Sequence, residues 1–341
     1  MSLTASSPHD PLLQAPLAYR IGLALIRRRW RGSSLLFDRL VRPGLAQQVV
    51  RYRLSPSLHI DTPLFTDNLW DEELLLGYEQ AFVDQMQSLL AVLPRPIRFV
   101  DCGASFGLFS LRMAQAEQPP DAWLAFEPNP HMFTLLQANL ARFGERARCL
   151  PRAVSDWHGR GALHSPAHDP SPDAMFLAPD SSGPIEVSTL DAELPAAAEL
   201  AQGSVMLKID VEGQELAVLR GARRVLEQAR DLVVAFEAHP EVARRTGIDP
   251  MACLSHLQSI RPFEIRIAER PDLRPDPQQP LFDQLRPARI CNIICRSTRR
   301  DGGAGGTAPA SARSSRRPDR PVPRSRRQRP SARAAAACPR R

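Results

Sequence analysis

The run Ile97-Arg98-Phe99-Val100-Asp101-Cys102-Gly103-Ala104-Ser105-Phe106-Gly107 constrains the fold more than any other stretch of this 341-residue chain. Phe99 and Val100 favour a strand, Gly103 and Gly107 permit a tight turn, and residues 108–114 resume at helical spacing. The run therefore reads as strand, turn, helix. A turn of that kind at a strand's carboxyl end is where open α/β sheets bind nucleotides.

The turn reads D-x-G-x-x-x-G, whereas a dinucleotide site wants G-x-G-x-x-G so that a pyrophosphate can approach the backbone. An NAD-dependent oxidoreductase is disfavoured on that ground. A carboxylate from Asp101 at the mouth of the site repels phosphate and suits a ligand carrying an amine and a sulfonium. S-adenosylmethionine is such a ligand. The plainer account is a helix cap and an ordinary turn, because a glycine loop alone is a weak signal.

A second strand, Ala122-Trp123-Leu124-Ala125-Phe126, runs into Glu127-Pro128-Asn129-Pro130. Pro128 ends the strand, Asn129 can cap, and Pro130 suits the first helical position. Glu127 follows the glycine turn at about the interval at which an acid accepts both ribose hydroxyls of a nucleoside. The alternative is a solvated strand end.

Two further strands carry chemistry. Val205-Met206-Leu207-Lys208-Ile209-Asp210 places Lys208 and Asp210 on one side at its carboxyl end. Val211-Glu212-Gly213-Gln214-Glu215 then starts a helix continued by Leu216, Leu219 and Leu226, with Glu212 and Glu215 one turn apart. Leu232-Val233-Val234-Ala235-Phe236 ends in Glu237-Ala238-His239-Pro240. Lys208 is the only lysine beside 43 arginines, which points to a site needing a compact ammonium rather than a planar fork.

Four of these runs, Phe99 to Gly107, Phe126 to Pro130, Ala153-Val154-Ser155-Asp156 and Leu207 to Glu215, occur in this order in FkbM-type methyltransferases, and the chain resembles that family over residues 58–295. Ser105-Phe106 departs from the family, which more often has Asn-Ile or Asn-Val there. The resemblance implies an S-adenosylmethionine-dependent O-methyltransferase acting on a hydroxyl of a sugar, glycan or polyketide-like metabolite. The implied fold is α/β, a Rossmann-like class I methyltransferase with a central, mostly parallel seven-stranded sheet, helices on both faces and an antiparallel terminal strand. Cofactor contacts are expected from Asp101, Gly103, Ala104, Gly107, Glu127 and Pro128. The turn at Asp156 or Ala153 lies near the adenine in the family, and Gly77-Tyr78-Glu79 resembles its segment over the cofactor pocket, although Tyr78 reads as helical core.

Methyl transfer from a sulfonium is an in-line displacement, so a protein mainly aligns the acceptor and removes its proton. Asp210 is the expected base and Lys208 the cation that positions it or steadies an alkoxide. Glu212 and Glu215 would orient the acceptor, and His239 is the rival base. Structural accounts exist for each: acids in a first helical turn favour the macrodipole, Lys208 can simply neutralise them, and His239 can cap the next helix.

Charge divides the chain. From Arg296 onward there are 14 arginines against Asp301 and Asp319, a surplus of 12, so residues 1–295 carry 7 − 12 = −5. An acidic body argues against a nucleic-acid partner. The competing reading, an RNA-binding protein or RNA methyltransferase, rests on the arginine-rich tail. That tail, residues 297–341, is Arg, Pro, Ser, Ala and Gly with almost no apolar anchor and is expected to be disordered.

Residues 1–57 are expected to form a basic helical extension. No signal peptide is read, because the apolar run at 21–26 is short and its arginines follow it. Arg20, Arg27, Arg28, Arg29, Arg31, Arg39, Arg42, Arg51 and Arg53 alternate with apolar residues, so a basic amphipathic helix pair is expected, which either packs on the main domain, the favoured account, or rests on an anionic membrane surface. Residues 71–93 read as one helix. Residues 164–184, rich in proline, read as a long loop and a candidate acceptor lid. His164 and His168 there lack partners at ligand spacing, so no metal site is expected. Six cysteines without a C-x-x-C pair suggest reduced thiols and a cytoplasmic protein.

Overall fold

The structure, a computed structural model, describes residues 11–41, 44, 48–64, 68–165 and 175–297. The tail from 298 onward and His168 therefore lie outside the described residues. The elements are α1 (Leu17–Arg27), α2 (Ser33–Leu40), β1 (Val49–Ser55), β2 (Leu58–Pro63), α3 (Glu72–Gly77), α4 (Gln80–Leu90), β3 (Ile97–Cys102), α5 (Leu108–Ala114), β4 (Ala122–Phe126) and α6 (Pro130–Leu140). Next come β5 (Ala147–Leu150), β6 (Arg152–Val154), β7 (Gly159–His164), β8 (Phe176–Pro179), β9 (Ile185–Ser188), α7 (Leu190–Glu193), α8 (Ala197–Leu200) and β10 (Ser204–Ile209). The last are α9 (Glu215–Arg220), α10 (Arg223–Gln228), β11 (Asp231–Ala238), α11 (Pro240–Thr246), α12 (Met251–Ile260), β12 (Phe263–Ile267), α13 (Leu281–Gln284) and β13 (Cys291–Ser297).

Seven strands form one sheet in the order β12-β13-β11-β10-β3-β4-β5. β11, β10, β3, β4 and β5 run parallel, and β13 is antiparallel to both its neighbours. This is the expected α/β architecture. Every residue of β10, Ser204 and Lys208 included, is buried, as in a parallel strand covered on both faces. Alternation divides the core: Val100, Leu124, Leu207 and Val234 pack on one face of the sheet, and Ile97, Phe99, Met206 and Val233 on the other. Each such side chain contributes roughly 1.5–3 kcal/mol of transfer free energy.

Four expectations change. The boundary at residue 57 falls inside a hairpin, since β1 pairs antiparallel with β2. Asn139 holds that hairpin to the glycine turn by bonding Asp61 N and O and Phe106 O. The helix expected over 71–93 is two, because Tyr78 is extended and Glu79 is left-handed (φ 47°). Arg112 stabilises the break by donating to the carbonyls of Leu75 and Leu76 at the end of α3, at 2.9 and 2.8 Å. The stretch 164–184 contributes β8, which with β6, β9 and β7 builds a second, four-stranded sheet. The helix expected from residue 211 begins instead at Glu215, after a loop with positive φ at Glu212 (55°) and Gly213 (103°).

The N-terminal helices pack on the rest of the unit, as favoured. Tyr19, Leu23 and Phe37 form a small core with Val50 and Leu64, and the Tyr19 hydroxyl donates to Trp70 O at 2.8 Å. No helix among the described residues is long and apolar enough to cross a membrane. The five described cysteines are free thiols.

Candidate active site

A cavity of about 190 Å³ opens at the carboxyl ends of β3, β4 and β10, where the strand order reverses beside β3. The glycine turn, Trp70 and Tyr78 line it, together with Leu163 and Leu177 from the second sheet and Met175 just before β8. Part of the candidate lid thus meets the cavity, while residues 166–174 lie outside the described residues.

The turn is held by its own backbone. Gly103 N and Ala104 N both donate to Phe126 O at 3.0 and 2.9 Å, and Ser105 N to Glu127 Oε2 at 2.8 Å. Amides so occupied do not cradle a pyrophosphate, which agrees with the missing dinucleotide pattern. Gly103 has φ 75°, and a Cβ there would stand 1.7 Å from Asp210 O, so the β3 and β10 loops approach this closely only over glycine. Gly107 caps α5 below the cavity rather than lining it.

Glu127, buried in the wall, accepts from Ser105 N through Oε2 and from Asn129 N through Oε1, both at 2.8 Å. It locks the glycine turn to the loop after β4, and a carboxylate with about four acceptor sites can do this and also accept sugar hydroxyls. Ala104 and Pro128 line the cavity beside it.

Asp101 stands elsewhere than expected. It shares a face of β3 with Ile97 and Phe99, so its carboxylate points under the turn, fully buried and outside the cavity wall. There it accepts from Ser110 Oγ at 2.8 Å and lies 3.6 Å from Lys208 Nζ. Burial pushes its pKa up, against the opposing pull of Lys208 and Ser110. Asp156 also misses the cavity: Ser155 N binds Ser188 O, the chain turns into the second sheet, and Asp156 is left exposed. Ala153 and Val154 line the wall instead.

Lys208 is buried over the Phe109 ring, with Nζ 3.1 Å from Asp210 Oδ2 and 3.4 Å from Gly103 O. Burial alone would lower its pKa, but Asp210 and Asp101 outweigh that and hold the ammonium above the usual lysine value. Asp210 lines the cavity with a side chain 32% exposed. Its carboxylate oxygens and those of Glu212 and Glu237 converge within 4.8 Å, close enough to ligate a divalent cation, a grouping not read in the sequence. Burial and then Asp210 raise the Glu237 pKa well above the carboxylate norm.

Two expected acceptor-side residues are drawn elsewhere. Glu215 accepts from Val211 N and Gly213 N, holding the loop rather than facing the cavity. His239 caps α11, its Nδ1 accepting from Glu241 N at 3.1 Å, and it is absent from the cavity wall. Glu237 stands there in its place. Its parity with His239 was visible, but β11 ends at Ala238, so only Glu237 keeps the strand's direction. Tyr78 lines the cavity, in line with the family segment that Gly77-Tyr78-Glu79 resembles, and not as helical core, because the helix breaks at Tyr78 and Glu79.

Residues 101–262 match the family model described as Methyltransferase FkbM domain. The chain carries an FkbM methyltransferase domain. Among solved structures it is similar to the FkbM methyltransferase from Methylobacillus flagellatus KT, at 19% identity and TM-score 0.37, covering 61% of this chain and 50% of that one. It is similar to an SAM-dependent O-methyltransferase from Thermotoga maritima, at 17% identity and TM-score 0.34, covering 64% and 65%. M. jannaschii TYW2 in complex with AdoMet gives 10% identity and TM-score 0.36, covering 73% and 84%. The chain thus spans half the length of the first of these, and at such TM-scores the likenesses add nothing to the strand order. No curated protein sequence matches.

The FkbM domain takes S-adenosylmethionine as its cofactor. The residues present fit it: the turn admits close approach at Gly103, Glu127 offers a carboxylate to a sugar, and the Ser105 hydroxyl in the wall has no partner among the described residues.

Proposed function

We propose that the domain is an O-methyltransferase that uses S-adenosylmethionine to methylate a hydroxyl of a sugar, glycan or polyketide-like metabolite. The observation that carries this reading is Asp210, exposed to the cavity and oriented by Lys208 through Oδ2. Its Oδ1 makes no hydrogen bond among the described residues.

The cofactor, when bound, supplies an activated methyl group on a sulfonium. Asp210 Oδ1 then receives the proton of the acceptor hydroxyl as its oxygen becomes the nucleophile. Lys208 keeps the carboxylate in one orientation and offsets the negative charge developing beside it. Glu212 and Glu237 accept hydrogen bonds from neighbouring hydroxyls, which suits a polyol. Leu163 and Leu177 shield the reacting atoms from water.

The carboxylates of Asp210 and Glu212 stand against the RNA reading, since they would face a polyanion across the cavity mouth. Labelled-methyl transfer to a panel of nucleotide sugars, glycolipids, polyketide alcohols and transfer RNA tests the proposal. Transfer to at least one hydroxyl acceptor, lost in Asp210→Asn, is the expected result. Transfer to RNA alone, abolished by deleting residues 298–341, would establish the alternative.

A further inference from the structure

Seven of the eleven large apolar side chains exposed among the described residues fall between Leu12 and Leu36. On α1, Leu17 and Ile21 lie one turn apart at 68% and 51% exposure, opposite the buried Tyr19 and Leu23. On α2, Leu35 and Leu36 are 58% and 54% exposed, opposite the buried Phe37. Trp30, in the turn between the helices, is 69% exposed. Each helix therefore has two apolar sides, one spent on packing and one facing outward.

Basic residues are interleaved with these apolar ones along the sequence. Residues 11–41 hold Arg20, Arg27, Arg28, Arg29, Arg31 and Arg39 against one acid, Asp38. Arg27 pairs with Asp71 and Glu73, but Arg20, Arg28, Arg29, Arg31 and Arg39 make no ion pair among the described residues. The domain elsewhere is acidic, so this concentration of positive charge is local.

We infer that α1, α2 and the turn at Trp30 dock on an anionic phospholipid bilayer, with Leu17, Ile21, Trp30, Leu35 and Leu36 in the acyl boundary and the arginines at headgroup phosphates. Exposed aliphatic side chains, a tryptophan and arginines close together in one short segment match the chemistry of that interface, where each finds its layer. Basic residues near an anionic leaflet are drawn to it by its surface potential. A second copy of the chain is a poorer occupant, since a two-fold contact sets five unpaired arginines against themselves. Nucleic acid would accept the arginines and leave Leu17 and Ile21 in water. Tyr19 bonds the carbonyl of Trp70, which lines the cavity, so the docked helix is tied directly to the active-site wall.

Full-length protein should float with vesicles of phosphatidylcholine containing about one-third phosphatidylglycerol and not with pure phosphatidylcholine vesicles. The variant Leu17→Gln/Ile21→Gln/Leu36→Gln retains every arginine, including those of the tail, and should lose partitioning by about tenfold or more. Trp30→Phe should remove most of the vesicle-induced blue shift in fluorescence. Unchanged melting temperature and cofactor affinity in the triple variant confirm that its fold is intact. Full binding by the triple variant, or equal binding to neutral vesicles, overturns the inference. So does a dimer in sedimentation without vesicles that the triple substitution dissolves.

Discussion

Lys208 on β10 lies opposite Asp101 on β3 in the strand register, and its ammonium stands 3.6 Å from that carboxylate and 3.1 Å from Asp210. One cation thus joins a buried acid that never meets the cavity to an exposed acid that does. The arrangement explains a single retained lysine: a compact ammonium reaches two carboxylates and the Gly103 carbonyl beneath a glycine turn, over a phenyl ring.

Replacing Lys208 with Met leaves Asp101 buried without its counter-ion. The expected loss is about 3–5 kcal/mol of stability near neutral pH, shrinking as pH falls because Asp101, already raised in pKa, takes up a proton. Urea midpoints at mildly acidic and alkaline pH measure this. The double variant Asp101→Asn/Lys208→Met should recover part of the loss, and equal instability of single and double variants would contradict the pairing.

Asp210→Asn should leave cofactor affinity within about twofold and lower kcat by roughly 10²–10⁴. Glu237→Gln should reduce kcat less and raise KM for the acceptor. If the Asp210 variant turns over normally while the Glu237 variant does not, Glu237 is the base; single-turnover assays with saturating cofactor separate the cases.

Glu127→Gln replaces one acceptor oxygen by a donor that opposes Ser105 N or Asn129 N. The lock between Ser105 in the glycine turn and the loop after β4 is then weakened, and S-adenosylmethionine affinity should fall by tenfold or more, about 1.4 kcal/mol or greater. Titration calorimetry reads the change directly, and an unaltered Kd would remove Glu127 from the cofactor site.

Glu79, held by Asn292 Nδ2 at 2.9 Å, has its pKa raised from 4.5 to about 7, first by burial and then by Asp210. Between those values the folded state binds more protons than the unfolded one, so this group makes stability fall as pH rises through the window and level off above it. Glu79→Gln should flatten that slope in melting temperatures from pH 4.5 to 7. A slope as steep as in the parent would assign the effect to Glu237 instead.

Much of the fold was legible because it is written locally. Alternating apolar strands, the turn Gly103–Gly107 and the caps at Asn129 and Pro130 announce the parallel sheet and its switch point, and the acids at strand ends point to the right edge of it. Three misplacements share one cause. Asp101, Glu215 and His239 each sit at a strand end or helix start as expected, yet packing decided which way they face. Asp101 turned to Ser110 and Lys208, Glu215 to the amides of Val211 and Gly213, and His239 to the amides of α11.

Residue order alone determined the sheet, its turn and the family, since strand propensity, glycine conformation and cap chemistry act within a few neighbours. Only the tertiary structure decided which acids reach the cavity. That outcome depends on buried groups distant in sequence, such as Arg112 breaking the helix at Tyr78 and Lys208 drawing two carboxylates together, and the requirement to satisfy buried charge is met in space, not along the chain.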